Sequence, residues 1–290
     1  MDAEPVVEQA CAKINLGLKV LAPRADGYHD ICTVMQTVDL VDRLEIASAP
    51  QATFTCSDRE LDAPSNLVVR AAQVFRQRSG VCLPPLHLHL EKRIPVGAGL
   101  GGGSSDAAAA LRGLNRVGGQ PCTTAALRQM AAEVGSDVPF VLAGGTALAR
   151  GRGELLTPLE WRAPCCYVLV YPQVAVSTAW AYRQVSPSLT CAGPYLTFVN
   201  SLQSGGCVDH DALLRVLEND FQPVVERTYP IVAELRSWFG RAGARASSMS
   251  GSGSTVYGVF DDRAAASQAR AELEARGFRS FLCRPSPLAV

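Results

Sequence analysis

Between positions 95 and 106 the chain reads P-V-G-A-G-L-G-G-G-S-S-D, with five glycines among residues 97–103 and two serines directly after them. Glycine accepts positive φ and lets a ligand approach the backbone closely. A helix opening at Ser105 adds unpaired N–H groups and the positive end of its dipole. Backbone amides, hydroxyls and a helix N-terminus converging on one spot are chemistry for a phosphate. Gly97, Gly99 and Gly102 satisfy G-x-G-x-x-G, but the dinucleotide fingerprint also needs a buried strand before the glycines and an acid about 20 residues on. Here the preceding strand carries His87, His89 and Glu91 on one face, and the helix leads into another helix. That context rejects a dinucleotide site. The Walker pattern is absent too, because no lysine follows the glycines.

Other residues offer proton chemistry. Lys13 and Asn15 sit two apart on an extended stretch, so both side chains project from one face. Only Lys13, Lys19 and Lys92 are lysines, against 24 arginines. Arginine is forked and bulky where lysine is a compact point charge, so a lysine retained in such a chain asks what arginine could not do there. Taken alone, Lys13 also reads as a solvated edge-strand lysine. Asp137 stands in Ser-Asp-x-Pro, which is equally helix-capping chemistry. Tyr28 and His29 follow Gly27 in a turn, where simple surface packing is the plain alternative. His87 and His89 lack a patterned third ligand, so no metal is assigned to them.

The chain is long enough to scaffold these groups. At 290 residues, 48% hydrophobic and 19% charged, it is a globular sequence with room for two domains. Basic and acidic side chains both count 27, which excludes a field that draws nucleic acid or an anionic membrane. A small-molecule substrate is the expected partner, and the chain could work as monomer or homodimer. The acidic start predicts no signal peptide, no apolar run reaches the roughly 20 residues of a membrane span, and a cytoplasmic location is expected. Ten cysteines without a C-x-x-C pair read as reduced structural thiols.

Alternation predicts a strand over 6–22, a turn at 23–30, and extended runs at 31–41, 43–56 and 81–94. Helical periodicity covers 66–78 and 105–117. Another helix is capped by Thr123 or Thr124 and stopped by Gly135, and a short one opens at 136–139 and ends at Gly144-Gly145. A strand-turn-strand passes through Arg150-Gly151-Arg152-Gly153. Beyond Pro158 the spacing predicts a strand at 165–171, a short helix at 176–184, helices at 211–222 and 228–239, a strand at 255–260 and a helix at 264–276. No β-α-β rhythm runs through this order, which favours α+β, with domains of 1–158 and 159–290. The tract 186–207 has no readable period.

Three segments then stand together: A-K-I-N-L-G-L at 12–18, the glycine-serine run at 95–108, and S-G-S-G-S-T-V-Y at 250–257. In order and spacing they resemble the three motifs of the GHMP kinases across nearly the whole chain. The resemblance implies an N-terminal mixed α/β domain with a glycine-rich phosphate loop, a ferredoxin-like C-terminal domain, and an active site between them. It implies ATP with Mg²⁺ and phosphoryl transfer to an alcohol. Lys13 and Asp137 match the catalytic pair, a sensible one, since a carboxylate can accept the hydroxyl proton while an ammonium orients the alcohol. Pro95, Gly97, Gly99, Leu100, Gly101, Gly102, Gly103, Ser104, Ser105 and Asn66 match the nucleotide site.

The segments G-Y-H at 27–29 and G-S-D-V-P-F at 135–140 resemble the branch that phosphorylates the tertiary 2-hydroxyl of a cytidyl-diphosphate sugar alcohol. That likeness implies Asn15, Tyr28, His29, Thr178 and Tyr182 as acceptor contacts, with Tyr28 stacked on cytosine and His29 bonded to its edge. Trp180 competes with Tyr182 as the second aromatic wall. Asp106 reads as structural or as a water-mediated Mg²⁺ partner. Ser250–Ser254 reads as a loop over the phosphates or a support for the first loop.

Overall fold

A computed structural model describes residues 4–185 and 193–286. Its first sheet is founded on two long antiparallel strands, β1 (Val6–Pro23) and β2 (His29–Ser48), which pair along most of their length. The sequence suggests two separate runs at 31–41 and 43–56. Instead one 20-residue strand continues through Asp42, and only Thr53–Cys56 forms a separate β3. A charged residue survives inside that strand because its carboxylate accepts backbone N–H groups from Arg93 and Ile94.

The chain continues as α1 (Leu67–Arg78), β4 (Leu86–Glu91), α2 (Gly102–Val117), α3 (Thr124–Val134), α4 (Val138–Ala143), β5 (Thr146–Gly151) and β6 (Leu155–Glu160). These strands order as β3-β4-β2-β5-β6, with β1 pairing β2 off that path. The four helices cover one sheet face, contributing Val68 and Phe75 from α1, Ala107–Leu111 from α2 and Phe140 from α4 to a common core. The alanines of α2 let it lie close to the sheet. A Cβ on its Gly113 would sit 2.5 Å from Ile46.

After β6 the chain crosses to a second sheet at β7 (Cys166–Tyr171), followed by α5 (Thr178–Gln184) and α6 (Pro194–Ser201). The short β8 (Gly206–Cys207) returns to pair with β6, so the first sheet draws on residues beyond 158. Next come α7 (His210–Arg215), α8 (Gln222–Thr228), α9 (Pro230–Arg241), β9 (Ala246–Met249), β10 (Val256–Phe260), α10 (Arg263–Ala275) and β11 (Arg279–Cys283). Antiparallel order β11-β7-β10-β9 with α9 and α10 packed against it is the ferredoxin-like arrangement. Its other face meets the first sheet through Ile14, Leu16 and Leu148 against Tyr167, Leu169 and Tyr257. The whole is α+β in two domains. Among the described residues, no helix is long and apolar enough to cross a membrane.

The helix suggested at 211–222 is two helices separated by an extended link. Leu18 donates its N–H to Glu218 O at 2.7 Å and accepts from Asp220 N at 3.0 Å, so β1 claims the backbone between them. Lys19, only 7% exposed, locks this link with bonds of 2.9 Å to Glu218 and 2.6 Å to Asp220. Apolar spacing in Leu213-Leu214-Arg215-Val216-Leu217 could not reveal a tertiary partner for the backbone.

Of the unreadable tract 186–207, residues 186–192 lie outside the described part, and the remainder supplies Tyr195. Its hydroxyl donates to Leu16 O at 2.9 Å and accepts from Val34 N at 3.0 Å, bridging the β1–β2 pairing where its register shifts between Leu16 and Leu18. Gly17 makes this possible. Its φ is +85°, and a Cβ there would lie 2.1 Å from the Tyr195 ring. Gly17→Ala therefore combines left-handed strain with overpacking, and should cost about 2–5 kcal/mol. Urea denaturation checks this; a loss below about 0.5 kcal/mol would show that the ring is not fixed there.

Candidate active site

Between the domains lies a cleft of about 610 Å³ floored by the glycine loop. The helix after the loop begins at Gly102 rather than at Ser105, with Gly101 as its N-cap at φ +68°. Gly102, Gly103 and Ser104 thus form its first turn and present its unpaired N–H groups to the cleft. Pro95, Gly97, Gly99, Leu100 and Gly101 line the same floor. Ser105 does not: its hydroxyl is turned inward, donating to Cys11 O at 2.6 Å.

Two of the glycines are required by protein neighbours as much as by any ligand. A Cβ on Gly99 would meet Ser250 O at 2.2 Å, and one on Gly101 would meet Lys13 Cγ at 2.8 Å. The loop is pinned from both sides. Lys13 N donates to Leu100 O at 2.9 Å, Thr255 N to Ala98 O at 3.2 Å, and the Ser250 hydroxyl to Gly99 O at 2.9 Å. Ser250–Ser254 therefore supports the first loop directly, and Ser252 and Gly251 also reach the cleft.

Lys13 projects from β1 and is 5% exposed. Its Nζ donates to Asn15 Oδ1 at 2.8 Å and stands 3.4 Å from Asp137 Oδ2. Asn15 is oriented in turn by donating to Thr33 Oγ1 at 3.0 Å, whose hydroxyl donates to Gly17 O at 2.6 Å. Asp137 precedes α4 in the N-cap position but has αR backbone angles and makes no side-chain capping bond. Its carboxylate faces the cleft instead. The capping chemistry legible in Ser-Asp-x-Pro is not what the side chain does.

The far wall is aromatic. Tyr182 lines the cleft, stacks on His29 with centroids 5.2 Å apart and meets Phe221 edge-on at 4.8 Å. Burial, with a contribution from the Asp137 charge, pushes its phenol up to about 12. Trp180 turns to Tyr229 and is not part of the lining, whereas Tyr182 and Phe221 are. Tyr28 is 53% exposed at the mouth, with the Arg152 guanidinium 5.1 Å from its ring centroid. His29 meets the cleft only through its ring contact with Tyr182. Thr178 lines the wall and shares a 2.9 Å hydrogen bond with Ser252. Asn66 also lines the cleft, but its amide is committed to capping α1 and to Leu61 O.

Sequence reading missed Arg152 and Lys92 as cleft residues, and left Asp106, which also lines the cleft, between two roles. Arg152 is one of 24 arginines and lies in a turn, so nothing marks it. Lys92 carried a signal, its rarity. It donates to Asp42 at 2.5 Å and to Asp106 at 2.7 Å, and these charges outweigh the burial that opposes its own. Burial, reinforced by Asp42 and opposed by Lys92, pushes Asp106 up to about 8.

A glycine loop at a helix start, a lysine–aspartate pair and an aromatic wall share one cleft on an α+β two-domain frame, the arrangement of a small-molecule phosphotransferase. The family models for the GHMP kinases N terminal domain and the GHMP kinases C terminal match residues 66–145 and 204–279. A Geobacter sp. (strain M21) protein named 4-diphosphocytidyl-2-C-methyl-D-erythritol kinase is 43% identical over 91% of this chain and 93% of its own. A protein of the same name from Chlorobium limicola is 38% identical over 97% of both. A crystal structure of 4-(cytidine 5'-diphospho)-2C-methyl-D-erythritol kinase superposes with a TM-score of 0.79 at 32% identity, covering 96% of this chain and 98% of that one. Homoserine kinase from Cytophaga hutchinsonii, at 19% identity and a TM-score of 0.77, shares the fold. The chain belongs to the GHMP kinase family, in the branch of the 4-diphosphocytidyl-2-C-methyl-D-erythritol kinases.

Gly101→Val would force a β-branched residue to φ +68° and drive Lys13 from its place. ATP affinity measured by calorimetry should fall at least about a hundredfold, since the loop could no longer close around phosphate. Unchanged affinity in a folded variant would remove this turn from the phosphate site.

Proposed function

We propose that the cleft transfers the γ-phosphoryl group of ATP to the 2-hydroxyl of 4-diphosphocytidyl-2-C-methyl-D-erythritol, giving the 2-phosphate and ADP, a step of non-mevalonate isoprenoid biosynthesis. The observation that carries the reading is the Lys13–Asp137 pair at 3.4 Å, set between the glycine loop and the aromatic wall. The Asp137 carboxylate accepts the hydroxyl proton as the new O–P bond forms and the β,γ-bridging bond breaks, ADP leaving with that bond's electrons. Lys13 holds the alcohol and balances the charge, and loop N–H groups at the start of α2 hold the transferred phosphate. Most of the work is positioning and charge neutralisation, as phosphoryl transfer requires.

On the acceptor side, Tyr28 and Tyr182 take the cytosine by stacking, worth roughly 1–3 kcal/mol per base. His29 orients Tyr182 through the ring stack. Asn15 and Thr178 hold the sugar alcohol. Arg152, above Tyr28, is the cation positioned for the acceptor's diphosphate.

Mg²⁺ fits this site as a companion of the nucleotide. Among the described residues no group of three His, Cys, Asp or Glu side chains is placed to hold a resident ion. Asp106 Oδ1, buried and without a partner among the described residues, lines the cleft beside Ser104. These two would contact the ion, which supplies charge neutralisation on the phosphates.

The test is acceptor choice. With ATP, the protein should phosphorylate the cytidyl-diphosphate sugar alcohol and leave the corresponding sugar phosphate, homoserine and mevalonate essentially unchanged. Tyr182→Ala should raise KM for the cytidyl acceptor about 5–100-fold with little change in the ATP KM, whereas Trp180→Ala should not. Preference for homoserine or mevalonate would overturn the reading.

A further inference from the structure

The five glycines of the loop make it the most conformationally free stretch of the cleft, so an unrestrained loop would lose much entropy when it closed on phosphate. Something must hold its ends. We propose that Asp42, Lys92 and Asp106 form a clasp that fixes both ends of the glycine loop and thereby sets the affinity of the nucleotide site. This rests on the reading of the loop as the ATP phosphate site.

The geometry ties three elements together. Asp42, in β2, is completely buried and does not line the cleft. Its Oδ1 accepts from Arg93 N at 2.5 Å and Ile94 N at 2.8 Å, the last peptides before the loop. Its Oδ2 accepts from Lys92 Nζ at 2.5 Å, and the same ammonium donates to Asp106 Oδ2 at 2.7 Å. Asp106 lies in the opening turns of α2, just after the loop. One ammonium thus joins the strand behind the loop, the segment entering it and the helix leaving it. Gly102 leaves room for this ammonium, because a Cβ there would lie 3.3 Å from Nζ and 3.0 Å from Ile94. Fixing the ends limits the closure entropy to the residues between them.

The test is Asp42→Asn, which keeps an oxygen for the two backbone N–H groups but places an amide or a neutral oxygen against Lys92. Amide hydrogen exchange of residues 95–103 in the nucleotide-free protein reads the clasp whether or not ATP is the ligand. ATP titration then reads the site. Loop exchange should speed at least about tenfold while β10 amides stay unchanged. The ATP Kd should rise about tenfold, with kcat at saturating ATP held within about threefold. A general loss of stability would instead accelerate exchange in β10 as well, and that result would overturn the clasp. Unchanged loop exchange would overturn it too, as would faster exchange with an unchanged ATP Kd. If wild-type ATP binding does not protect the loop at all, the phosphate-site reading fails while the exchange result still stands or falls alone. Should Asp42→Asn not fold, Lys92→Met, which removes the bridging ammonium and leaves Asp42 its two backbone partners, faces the same exchange and ATP-affinity measurements, and the same exchange and affinity outcomes decide it.

Discussion

A lysine ammonium inside a folded protein must be matched by oxygen atoms at close range, because an unpaired buried charge costs several kcal/mol. Lys13 imposes that requirement at the centre of this molecule. Asn15 meets it from the same strand and Asp137 from the start of α4, across the cleft. The glycine at 101 follows from it as well, since any side chain there would meet the lysine stem. Thr33 orients Asn15, and Tyr195 and Gly17 hold the irregular pairing of β1 with β2 just beyond. The same requirement recurs at the other two lysines. Lys19 is matched by Glu218 and Asp220, and Lys92 by Asp42 and Asp106. Each of the three joins segments far apart in sequence.

The two domains meet where these constraints are tightest. Ser250 belongs to the second domain, yet its hydroxyl donates to Gly99 O and accepts from Asn15 N. Tyr257 donates to Asn15 O at 3.0 Å. A single backbone position, Asn15, is therefore held from the second sheet while its side chain orients the lysine. The loop that would bind phosphate and the strand that carries Lys13 cannot shift independently. That coupling is the preorganisation that phosphoryl transfer needs, because the reaction leaves the protein little covalent chemistry to perform.

Much of this was legible in the sequence for local reasons. Glycine clusters and the helix after them, the Lys13–Asn15 alternation, the cap of α3, and the rarity of lysine are all properties of short stretches. What escaped depends on long-range partners. The extended runs at 31–41 and 43–56 meet in one strand through Asp42, because Arg93 and Ile94 supply donors for its carboxylate. The link through 216–221 looked helical because its backbone partner, Leu18, lies about 200 positions away. Tyr195 had no period to announce it, since its role is to fill one irregularity. At Ser105 and Asp137 packing separates readings that the sequence left side by side. The hydroxyl expected to face phosphate is committed to Cys11 O, and the carboxylate with a plausible capping role is left facing the cleft. Sequence shows which groups are present, and only packing decides which of them remain unsatisfied.

The most direct test of the Lys13–Asp137 pair is single-turnover kinetics of Asp137→Asn under saturating ATP and cytidyl acceptor. Asparagine keeps the shape, and no capping bond is lost because none is made. The account predicts a folded protein that binds both ligands and transfers phosphate at least about a hundredfold more slowly, the scale of a positioned proton acceptor. Near-normal turnover would contradict it, leaving catalysis to ligand positioning and phosphate neutralisation without a proton acceptor at Asp137.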